Sequence, residues 1–147
     1  MKTIYSLFFF ILRASAALLF ISSGMSKLVN PGRFLVEIQA FHLLPYWTAY
    51  TVAIGLPWLE IFCGFALFTL SYSSAAALVL MCLTISFMGF LGIAEMTGNY
   101  VDCGCFGTWY FIGNSNQHML FNGILVLALA ITFLRCAKLQ RVFEQHR

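Results

Sequence analysis

Ala75–Ala94 reads AAALVLMCLTISFMGFLGIA, twenty residues without a formal charge. A helix of that length rises ~1.5 Å per residue and reaches ~30 Å, the thickness of a bilayer's hydrocarbon core. The stretch predicts a membrane span. What remains is how many more the chain holds.

The whole chain shares this character. Of its 147 residues, 61% are hydrophobic and 9% charged, and the mean hydropathy is +0.89. A soluble domain carries about 25% charged residues, so the composition excludes a separate soluble domain. It predicts one integral membrane domain over residues 1–147, without internal repeat, linker or low-complexity tract. Sixteen Phe, six Tyr and three Trp suit lipid-facing and interfacial positions. Apolar runs place four spans at about residues 4–23, 48–70, 75–94 and 118–134. The expected fold is all-α, a four-helix transmembrane bundle. A cleaved signal peptide is the rival reading of the first run, because Lys2 precedes it. Its length, the interrupting Arg13 and the missing cleavage site weigh against that.

Between the first two spans lies GMSKLVNPGRFLVEIQAFHLLPYW, residues 24–47. Asn30-Pro31-Gly32 marks a turn. Phe34, Leu35, Ile38, Phe41 and Leu44 then recur at helical spacing. They predict a short interfacial helix ended by Pro45. Lys and Arg set the orientation. Lys2, Arg135, Lys138, Arg141 and Arg147 flank the termini, whereas the first connection has only Lys27 and Arg33 and the loop at 95–117 has neither. Both termini are expected in the cytoplasm and the 95–117 loop outside.

That loop holds Val101-Asp102-Cys103-Gly104-Cys105-Phe106-Gly107. In a bacterium its compartment is the periplasm, where disulfides persist. A Cys-x-Cys pair can close as a strained, readily reduced ring or trade disulfides with a partner, and Gly104 can take the backbone angles such a ring needs. The alternatives are inert thiols in a loop, or half of a tetrahedral metal site completed by His118 and a further ligand. No metal is assigned. Cys63, Cys82 and Cys136 lie in spans or at the cytoplasmic end and read as buried small hydrophobes.

Arg13 and Glu60 fall near the middle of spans one and two. An isolated charge at that depth costs several kcal/mol, so such residues pair or line a cavity. The expectation is that Arg13 faces Glu60. They would either lock two helices together or form a polar site for a quinone head group or proton, with Pro57 opening the backbone one turn earlier. Lys27 is placed on the outer side, within reach of the cysteine loop.

Together these segments resemble a known family. SSGMSKLVNPGRFLVEIQAFHLLP (22–45), LPWLEIFCGFAL (56–67) and DCGCFG (102–107) are similar, in order and spacing, to the MauE and DoxX-like membrane proteins, and the last of them to the MauE cysteine motif. The resemblance covers roughly residues 10 to 130. It implies a four-helix membrane protein tied to redox processing outside the cytoplasm. In the MauE family this is maturation of the disulfide-rich small subunit of methylamine dehydrogenase beside a thioredoxin-like partner. DoxX relatives are linked to thiol and quinone chemistry. By position, Cys103 and Cys105 match the cysteine motif, and Arg13, Lys27 and Glu60 match recurrent polar positions.

The expected function is therefore thiol–disulfide exchange at the bacterial inner membrane. Cys103 and Cys105 would act on a periplasmic client or thioredoxin-like protein, and a quinone near Arg13 and Glu60 would be the possible cofactor. The bilayer is the expected surrounding, and no nucleic-acid partner is expected. The rival classes are a non-catalytic scaffold or chaperone with a structural Cys103–Cys105 bridge, and a small-solute carrier using an Arg13–Glu60 cavity.

Overall fold

The computed structural model describes residues 2–40, 44–69, 72–96 and 115–145. The described residues form five helices: α1 Lys2–Val29, α2 Pro31–Ala40, α3 Tyr46–Phe68, α4 Ser73–Met96 and α5 Ser115–Gln145. Four contain stretches long and apolar enough to cross a membrane: Leu7–Val29, Tyr46–Phe68, Ser73–Phe90 and Met119–Lys138. Only 28–33% of each stretch is buried inside the protein. Leu18, Phe62, Phe65, Leu120 and Leu127 point outward, whereas Arg13, Lys27, Glu60 and Asn122 are buried. Apolar outside and polar inside is how a protein solvated by lipid is built. The chain is a multi-pass membrane protein.

The long helices form a closed ring. α1 packs on α3, α3 on α4, α4 on α5, and α5 returns to α1. Small residues fill the centre at Ala16, Ala17, Ala76 and Ala77, with Phe20, Leu67, Leu80, Leu125 and Leu129 interleaved. Without a hydrophobic force between helices in lipid, close van der Waals contact holds them. The closest approach is between α1 and α3. A Cβ on Gly24 would stand 2.7 Å from the Pro57 carbonyl oxygen, and one on Gly64 would stand 3.2 Å from that of Ala17. Only glycine permits this spacing.

Several boundaries differ from the sequence expectation. α1 runs on to Val29, so Gly24–Val29 is helical and not a connection. It stops where Pro31 begins α2, since a proline suits a first helical turn but not an interior. α2 is the expected short amphipathic helix, shifted toward its N-terminus. Its Phe34 and Ile38 pack on Ala49 and Ala53 of α3. Ser73 and Ser74 belong to α4 and not to the turn before it. α5 continues through Arg135-Cys136-Ala137-Lys138 to Gln145; Leu, Ala, Lys, Gln and Arg are all strong helix formers. Of the three cysteines in helices, Cys136 is buried and Cys63 half-buried as small hydrophobes, but Cys82 is exposed on the outer face of α4.

A buried lysine–glutamate site between α1 and α3

Glu60 sits on α3 one turn after Pro57, facing α1 across the contact made by Gly24. Its two carboxylate oxygens are separately engaged. Lys27 Nζ donates to Oε1 at 2.5 Å, and Ser23 Oγ donates to Oε2 at 3.3 Å. Lys27 is 3% exposed and Glu60 3% exposed. Lys27 lies near the end of α1, but helical side chains lean toward the N-terminus, which brings its ammonium back to the level of Glu60. The ammonium also lies 5.2 Å from the ring centres of both Phe34 and Phe87. Ring faces attract a cation at that range.

Arg13 and Glu60 do not pair, which corrects the sequence expectation. The Arg13 guanidinium donates to the carbonyl of Phe68 at 3.4 Å and lies 5.9 Å from the Phe10 ring centre. Phe68 is the last residue of α3, where carbonyls lack partners within the helix and the helix dipole favours a cation. Phe68 and Glu60 are eight residues apart, ~12 Å along one helix. Arg13 thus sits at the end of α3, while Lys27 serves the glutamate. Lys27 is helical, since α1 runs on to Val29, and its ammonium meets Glu60; the loop it was expected to approach lies outside the described residues. Arg33 and Glu37 form a separate surface pair at 3.2 Å on α2.

A cavity of about 30 Å³ adjoins the ion pair, lined among others by Ser23, Lys27, Glu60, Thr84 and Asn122. One water needs roughly 10–15 Å³ of such space, so it accommodates one or two. An apolar crevice of about 80 Å³ lies beside it, lined among others by Phe34, Ile38, Val52, Leu83, Phe87 and Phe90. Leu83 and Phe87 wall both spaces.

Asn122 is buried on α5, and sequence reading missed it. A single Asn inside a predicted span was the available signal. Cys103, Cys105 and the rest of the 97–114 stretch lie outside the described residues, as does the side chain of His118. α4 ends at Met96 and α5 begins at Ser115, at the end of the bundle that carries α2 and the Lys27–Glu60 pair. Among the described residues no cluster of three His, Cys, Asp or Glu is arranged to hold a metal.

Fold and site together define a four-span helical membrane protein with a charge pair enclosed between its first and third helices. The family profile of methylamine utilisation protein MauE matches residues 5–135, and the chain belongs to that family. It is 32% identical over 96 residues to methylamine utilization protein MauE of Paracoccus denitrificans, covering 65% of this chain and 52% of the relative. The chain thus spans about half the length of that curated relative. No solved structure matches it.

Proposed function

We propose that this protein is an accessory of methylamine utilisation that carries out thiol–disulfide exchange at the outer face of the bacterial inner membrane. Cys103 and Cys105 are its reactive pair. A Cys103–Cys105 disulfide takes two electrons and two protons from the dithiol of a periplasmic client or thioredoxin-like partner. That partner leaves as a disulfide, and the pair is left as two thiols. A membrane quinone then accepts the two electrons and two protons and becomes the quinol, restoring the disulfide. The termini lie in the cytoplasm, where the basic tail holds them.

The observation that carries this reading is the Cys-Gly-Cys motif between two spanning helices in a chain of the MauE family. α4 and α5, the helices that flank the motif in the chain, both line the buried polar cavity, which supports the reading.

The test is thiol trapping in intact cells with a membrane-impermeant maleimide, before and after mild reduction. Labelling that needs prior reduction, and that disappears only when both Cys103→Ser and Cys105→Ser are present, is the expected result. Each single serine variant should abolish function while the protein remains at wild-type abundance. Loss of abundance in both variants would instead favour a structural bridge in a scaffold. Labelling only after the membrane is dissolved would refute the orientation.

A further inference from the structure

We propose that Arg13 holds the phosphate of an anionic phospholipid at the end of the bundle that carries the chain termini. The site is independent of the cysteine chemistry above.

The argument begins with charge. Arg13 is 6% exposed. Lys27 meets Glu60 and Arg33 meets Glu37, but among the described residues Arg13 meets no carboxylate. Its partners there are the Phe68 carbonyl and the Phe10 ring. A helix C-terminus supplies the equivalent of about half a negative charge, so much of the arginine's charge is left unbalanced. Its donors are left over as well. A guanidinium has five N–H groups, and among the described residues only Nη2 makes a hydrogen bond, at 3.4 Å. No fully enclosed side-chain nitrogen among the described residues lacks a partner. Nε and Nη1 therefore reach the protein surface, where an acceptor from outside can meet them.

Depth identifies what stands outside. α3 has 23 residues, ~34 Å of helix, slightly more than the ~30 Å of a hydrocarbon core. Its last residue, Phe68, thus lies at the head-group boundary, and Arg13 lies there with it. The core agrees. Ala16 and Ala17 pack in one cluster with Leu67, Ala76 and Ala77. Arg13 is one turn beyond them, level with the end of α3 and the start of α4.

The whole end is basic. Segments 2–13 and 132–145 hold Lys2, Arg13, Arg135, Lys138 and Arg141 against Glu144 alone, and Arg135 and Lys138 are exposed. Basic clefts between spanning helices at such an end suit anionic head groups. The planar arginine fork matches phosphate oxygens. The side chains of Phe10 and Phe68 are exposed beside it, which suits acyl chains and gives nothing to a free anion. A single acidic residue offers little to the cation of a zwitterionic head group. The fitting ligand is a phosphodiester without a balancing amine, as in phosphatidylglycerol.

The test is native mass spectrometry of the full chain released from detergent micelles, titrated with phosphatidylglycerol or phosphatidylcholine of the same acyl chains. Wild type should bind phosphatidylglycerol more tightly. Arg13→Met should weaken that binding about tenfold, as loss of a charge-assisted hydrogen bond would, with phosphatidylcholine binding unchanged. Cys136, 1% exposed, should stay protected from maleimide, which shows that the variant is folded. Arg13→Lys, which keeps the charge but loses the fork, should fall between the two. Arg33→Met removes the same charge from α2 and should bind as wild type does. Equal phosphatidylglycerol binding in wild type and Arg13→Met, or equal losses in Arg13→Met and Arg33→Met, would overturn the inference. Displacement of the lipid by excess inorganic phosphate would assign the arginine to a free anion and overturn the lipid assignment.

Discussion

Replacing Lys27 by Met tests the buried site most directly. Met keeps most of the aliphatic length and removes the charge. Glu60, 3% exposed, then retains only the Ser23 hydroxyl at 3.3 Å. Breaking a buried ion pair from one side costs about 3–5 kcal/mol, chiefly because the surviving charge has no partner. Glu60→Gln strands the ammonium against two ring faces, which offset part of the loss, so about 2–3 kcal/mol is expected. The double variant Lys27→Met/Glu60→Gln leaves no charge behind. Its cost should be well below the sum of the two, with a coupling of about 3 kcal/mol, the upper end for residues in contact. Arg13→Met/Glu60→Gln is the control. Those sites are separated by ~12 Å of helix, and their effects should add within about 0.5 kcal/mol.

Unfolding can be read from Cys136, which is 1% exposed. With the other four cysteines replaced, its labelling by a maleimide in increasing denaturant reports the loss of the fold. Additive effects in the Lys27/Glu60 cycle, or single variants each costing under about 1 kcal/mol, would refute the paired geometry. Coupling in the Arg13/Glu60 cycle would restore the pairing that the sequence alone suggested.

Other outcomes follow from the same coordinates. Gly24→Ala sets a methyl 2.7 Å from the Pro57 carbonyl oxygen, and overpacking of that kind costs about 1–3 kcal/mol. Gly55→Ala meets nothing within 4 Å and should be neutral or stabilise by up to about 1 kcal/mol through helix propensity; the same denaturant assay compares them. Arg13→Met removes a long hydrogen bond at the end of α3 and should cost about 1 kcal/mol in the same denaturant assay. In the folded protein Cys136 should stay unlabelled for as long as the bundle is intact, measured by mass spectrometry of the intact chain.

The spans were legible because the bilayer imposes a length, and apolar runs of that length have few other readings. The ion pair was less so. Arg13 and Glu60 were recognisable as charges needing partners, and Glu60 did prove to be enclosed. Their pairing failed on register. Placing the end of α1 at Ser23 makes Lys27 a loop residue and leaves Arg13 as the only cation inside the first span. Extending the helix by six residues, to Val29, turns Lys27 onto the same face as Ser23, one turn away, and moves Arg13 out to the far end of α3. No local signal marks that extension, since Gly24 reads as a helix stop. In the structure Gly24 lies inside the helix because α3 comes too close for any side chain. The constraint is tertiary, and the sequence shows its consequence without its cause.

That same contact explains why a charge pair can be kept here at all. Gly24 and Gly64 draw α1 and α3 together on one side, while Phe34 and Phe87 close over the ammonium on the other. The pair is thereby shielded from lipid, and its partners hold it in one geometry. A pair that served only to join two helices would need no cavity beside it. Here the enclosure stops short of complete: a small polar chamber remains beside the pair and adjoins an apolar crevice. The chamber adds nothing to the hold of α1 on α3, which Gly24 and Gly64 secure.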